Sequence, residues 1–156
     1  MNPSLYSILL HAHSVGRWIL LLLLVIAIFN SLVAGSRPFI RSDKTTGLLL
    51  TTVADLMLLI GLVLWYFGNW GFQQIKTQGM NTVMQNSVAR FFAVEHITAM
   101  IIAIILIHIG KGQAKKKIAD NIKHRRTVIY YLLALIVILI SIPWPFLQTG
   151  SGRGWY

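Results

Sequence analysis

Four long apolar blocks separated by polar or basic segments dominate the pattern of this chain. They run over about 7–33, 48–67, 91–109 and 128–144, and each approaches or exceeds the roughly 20 residues a helix needs to cross a bilayer core. The pattern predicts an all-α membrane protein, a single domain over 1–156 built as a four-transmembrane-helix bundle. The first block is the longest, so its helix tilts or begins in the interface. Pro143 and Pro145 are expected to end the fourth span, because proline cannot donate to the helical ladder. Trp65, Tyr66 and Trp70 close the second span and Trp144 the fourth, as rings do at headgroup level. The segment 68–90 is rich in Gln, Asn, Gly and Thr and reads as a short cap with an interfacial turn of helix. No sequence repeat is visible.

Composition supports this reading. Of 156 residues, 56% are apolar and 12% charged, about half the charged fraction of a soluble domain. The net charge of +10 does not point to nucleic acid, because the basic residues flank the apolar blocks and form no basic face with interleaved aromatics. Ten of them lie in two loops: Arg37, Arg41 and Lys44 in the first, and Lys111, Lys115, Lys116, Lys117, Lys123, Arg125 and Arg126 in the third. Lys76, Arg90 and Arg153 lie on the opposite side. That bias puts loops one and three in the cytoplasm and both termini outside, as for a multi-pass protein of the bacterial inner membrane. The basic loop suits anionic lipid headgroups. The first block lacks a basic n-region and a small-residue cleavage site, so it is expected to be retained. With no cysteine, disulfides, thiolate metal sites, iron–sulfur clusters and covalent haem attachment are excluded.

Charged groups in hydrocarbon are costly and need partners. Arg17 falls in span one, Asp55 in span two and Glu95 in span three, joined by His11, His13, His96 and His108. His124, in the basic loop, reads as solvated. Spans one and three both enter from outside, so His11, His13, Arg17, Arg90, Glu95 and His96 share one outer layer. Arg17 and Glu95 form a natural interhelical ion pair. His11 and His13 sit about 200° apart on a helix, so only one faces the bundle, and His13, four residues from Arg17, is the inward candidate. His108 near the inner end can reach Asp55 or snorkel toward water.

Two neutral imidazoles on facing helices are the usual ligands of a membrane haem b, held in a slot of the bundle core. His13 and His96 match in depth and are the candidate iron ligands. Arg17, Arg90 or Arg153 can pair the propionates, Gly16, Ala93 and Ala99 make room, and Glu95 can instead accept a histidine's other N–H. A second haem is not expected: His108 lies about 18 Å from His96 along the axis, and span one has no inner histidine to match it.

The stretches His13-Ser14-Val15-Gly16-Arg17-Trp18, Arg90-Phe91-Phe92-Ala93-Val94-Glu95-His96, Leu106-Ile107-His108-Ile109-Gly110-Lys111, and Ile142-Pro143-Trp144 with the later Gly152-Arg153-Gly154-Trp155 resemble a family of small bacterial four-span membrane proteins labelled cytochrome b or cytochrome b-like. The resemblance covers nearly the whole chain. It implies that His13, Arg17, Glu95, His96 and His108 are family-type polar positions, and it implies electron transport. Span two departs from it: Ala54-Asp55-Leu56-Met57 stands where the family pattern has a histidine followed two residues later by glutamine.

The leading expectation is therefore a b-type haem protein moving electrons in the membrane. Its rival is a non-catalytic subunit or assembly factor of a larger membrane complex, packed against other membrane subunits without a cofactor. A third reading is a proton or ion relay through Arg17, Asp55, Glu95 and His108. A minor one is copper or zinc held by His11, His13 and His96. Hydrolase chemistry has no support: there is no serine elbow, phosphate loop or His-Glu-x-x-His pattern.

Overall fold

The computed structural model describes residues 2–151, and every regular element among them is helical. Two long helices, α1 (Pro3–Leu32) and α2 (Arg41–Phe67), are followed by three short ones, α3 (Phe72–Gln78), α4 (Met80–Gln85) and α5 (Ser87–Arg90). A π-helical turn, Phe91–Glu95, leads into α6 (His96–Gly112), which ends in a 3₁₀ turn, and α7 (Asp120–Ile140) completes the set.

Three stretches among the described residues are long and apolar enough to cross a membrane: Pro3–Leu32, Arg41–Gln78 and Ser87–Lys115. The fourth block forms a helix that does not reach that standard. Lys123, Arg125 and Arg126 lie in the first two turns of α7, and the helix stops at Ile140, short of Pro143.

Polar caps carry the helices beyond their apolar blocks. Asn2 accepts the Ser4 N–H at 3.0 Å and Pro3 supplies the preset first turn of α1. Asp43 accepts the Ile40 N–H at 2.9 Å while holding Arg37 at 2.7 and 2.8 Å, so α2 starts at Arg41. Asp120 and Lys123 pair at 2.7 Å in the first turn of α7. That early start buries His124, which was expected to be solvated. It is 1% exposed and stacks on Phe39 of the α1–α2 connection, ring centroids 4.8 Å apart.

The long helices pack in a ring, α1 on α2, α2 on α6, α6 on α7 and α7 on α1. Leu24, Leu50, Ala54, Ala103, Ile107 and Ala134 fill its centre with no exposed surface. Small residues let the backbones approach, as in membrane bundles generally. The Tyr131 ring, for example, occupies the space a side chain at Gly110 would need. The outer surface is apolar too: Leu22, Leu59, Ile105 and Ile140 are all more than half exposed. The segment read as a short cap with an interfacial turn of helix forms three short helices, broken at Gly79 (φ 81°), with Val83, Ala89 and Ala93 as a small core of their own.

Candidate functional site

The ring's apolar end, opposite the lysine-rich one, brings His13 of α1 and His96 at the head of α6 together, with ring centroids 6.4 Å apart and planes at 69°. The His96 imidazole is fixed from behind. His96 Nδ1 lies 2.8 Å from the Ser141 carbonyl, which can only accept, so the proton is on Nδ1 and Nε2 keeps its lone pair. His13 Nδ1 is buried without a hydrogen-bond partner.

The chemistry of the chain explains the anchor on His96. A helical carbonyl is normally taken by the N–H four residues on. Pro143 has no N–H and α7 ends at Ile140, so the carbonyls of Leu139 and Ser141 are left open. Trp144 Nε1 fills the first at 2.9 Å and His96 fills the second. The π-helical turn sets the direction of His96, because its wider winding changes which face the next residue presents. Trp65 Nε1 secures that turn by donating to the Ala93 carbonyl at 2.9 Å.

Both histidines line a cavity of 410 Å³ formed by α1, α2, the head of α6 and the stretch after α7. Its walls are mostly apolar, and Arg17 is its charged group among the described residues. The Arg17 guanidinium carbon lies 5.3 Å from the centre of the Trp18 ring. Ring centres at that distance leave space for a metal ion if the nitrogens face each other, its bonds being about 2 Å, and the cavity volume lies in the range of ligand sites.

The other candidates are distributed differently. Glu95 pairs with Arg90 at 2.6 Å on the exposed surface, and neither meets Arg17 nor orients a histidine. The reason is angular: Glu95 precedes His96 by one residue and so points to another side of the helix. Arg90 is thereby committed, with a further bond to the Met84 carbonyl at 2.9 Å. His11 is exposed, its Nδ1 2.7 Å from the Ser7 carbonyl. The three-histidine copper or zinc site is not formed, and no cluster of three such ligands exists among the described residues. Asp55 and His108 do meet, at 2.8 Å, on the outward surface of α2 and α6. Arg153 lies outside the described residues.

Of the small residues, Gly16 faces the Met57 sulfur and Ala99 does not line the cavity. Gly61 makes the room instead, since a Cβ there would lie 3.2 Å from His13 Cε1. An isolated glycine in the apolar run Leu59-Ile60-Gly61-Leu62 was a readable sign of close approach. Comparison of the chain with protein-family models, curated proteins and solved structures finds no match.

Proposed function

We propose that this chain is a membrane b-type cytochrome, with one haem b between His13 and His96 near the outer face, passing electrons within the bilayer. The observation that carries the reading is the approach of two imidazoles, that of His96 anchored, in a largely apolar cavity. Bound there, the haem supplies one-electron chemistry at its iron. The chain's own residues do the rest. The Ser141 carbonyl holds the His96 imidazole in orientation, which also raises its basicity as a ligand. Arg17 offers a cation to a propionate, and the apolar walls keep water from the site. In this reading α7 serves as the fourth span, the ten basic loop residues face the cytoplasm of a bacterial cell, and both termini face outward.

The test is the absorption spectrum of the purified protein made with haem available. A Soret band and, on reduction, a sharp α band are expected. A colourless, iron-free preparation overturns the proposal.

One observation favours the second reading, a cofactor-free subunit or assembly factor of a larger membrane complex. Asp55 and His108 pair where lipid would otherwise meet them, with side chains 51% and 46% exposed. Polar pairs in such a place are suited to a neighbouring membrane helix. That reading predicts a colourless protein that leaves the membrane in a larger particle.

A further inference from the structure

The basic end of the ring holds a second cavity, of 260 Å³, remote from the histidine pair. All four long helices build it, with Asn30 and Ser31 from α1, Lys44 from α2, Lys111 from α6 and Tyr131 from α7 on its wall. Two glycines open the space. A Cβ at Gly47 would lie 3.3 Å from the Tyr131 hydroxyl and 3.6 Å from Lys111 Cγ, and one at Gly110 would overlap the Tyr131 ring.

The charge is one-sided. Lys44, Lys111 and Lys115 border the cavity. Asp43 is the one acid among the described lining residues, and both its oxygens are occupied by Arg37 at 2.7 and 2.8 Å. The donors are also unspent. Among the described residues, the side chains of Asn30, Ser31, Lys44, Lys111, Lys115 and Tyr131 make no hydrogen bond, although Ser31 and Tyr131 are buried. Unpaired donors that converge on one cavity beside three ammonium groups suit an acceptor-rich anion, which charge-assisted hydrogen bonds would hold.

We propose that this cavity binds the phosphate of an anionic phosphate ester. The oxygens would take ammonium groups from Lys44, Lys111 and Lys115 and hydroxyls from Ser31 and Tyr131. The volume is below that of a drug-sized ligand site and ample for a headgroup-sized ester. The same chemistry is offered by a phospholipid headgroup at the membrane surface and by a soluble phosphate ester. The proposal is independent of the histidine site.

The experiment is thermal unfolding of the full chain in neutral detergent, followed by tryptophan fluorescence. The probes are phosphatidylglycerol or phosphatidylcholine doped into the micelles, and glycerol 3-phosphate in solution. Phosphatidylglycerol or glycerol phosphate should raise the midpoint by several degrees, because a ligand of the folded state stabilises it. A response to the lipid alone assigns a headgroup, and a response to glycerol phosphate as well assigns a soluble ester. The rise should vanish in the triple variant Lys44→Gln/Lys111→Gln/Lys115→Gln. It should also vanish in Gly47→Val, which fills the cavity and keeps its charge. It should persist in Lys116→Gln/Lys117→Gln, which lies outside the lining. No rise with either anionic probe, an equal rise with phosphatidylcholine, or a rise that survives in the triple variant overturns the proposal.

Discussion

His96 donates through Nδ1 to the Ser141 carbonyl at 2.8 Å, and Ser141 is the C-terminal cap residue of α7. A backbone atom thus orients the histidine. Ser141→Ala removes the hydroxyl and keeps that carbonyl. The His96 ring should then keep its single tautomer. Nitrogen-15 NMR of the haem-free protein is expected to show an Nδ1-protonated imidazole in both the native protein and Ser141→Ala. A tautomer mixture in the native protein would mean that the carbonyl does not fix the ring.

Asp55 and His108 form an interhelical pair at 2.8 Å. Polar bonds between membrane helices are worth about 1 kcal/mol on average or less. A double-mutant cycle with Asp55→Asn and His108→Ala should therefore return a coupling of roughly 0.5–1.5 kcal/mol in a detergent unfolding assay. Strict additivity would show that the pair contributes nothing to helix association.

Two glycines face side chains of different stiffness. Gly110→Ala collides with the Tyr131 ring, which is locked between helices, and should cost about 1–3 kcal/mol, as overpacking does. Gly16→Ala meets the Met57 thioether, which has rotamers to spare, and should cost clearly less. Midpoints of thermal unfolding for the two variants check the order.

Asp120 connects the start of α7 to the α1–α2 connection. The Lys123 ammonium hydrogen-bonded to it, with the Phe39 N–H second, holds its carboxyl below the ordinary value. A carboxylate depressed in the folded state stabilises that state fully above its unfolded value, and the contribution is lost as pH falls through the folded one. Carbon-13 NMR should thus place the Asp120 midpoint below about 3.9, and Lys123→Gln should move it upward. A midpoint at or above the ordinary carboxyl value would contradict the pairing.

The hydropathy pattern carried the three longest apolar helices and the meeting of His13 with His96, because burial of long apolar stretches and helix periodicity are both written locally. For His108 it left two alternatives, and the structure shows the one that reaches Asp55. It did not carry the polar ends. α7 starts at Asp120 instead of near 128 because its first turns are held by Lys123 and by His124 stacking on Phe39, contacts made across the chain. Glu95 was assigned to Arg17 from shared depth alone, whereas the one-residue offset from His96 turns it toward Arg90. Ser141 left no side-chain signal at all, since its contribution is a carbonyl.

Haem content per chain tests most directly the proposal that His13 and His96 jointly hold a haem. It should be measured on purified native protein, His13→Ala, His96→Ala and the His11→Ala control, with circular dichroism confirming that each remains helical. Close to one haem per chain is expected in the native protein and in His11→Ala, and a near-complete loss in the other two. Absence of haem from the native protein, or its retention in a folded His96→Ala variant, would overturn the proposal.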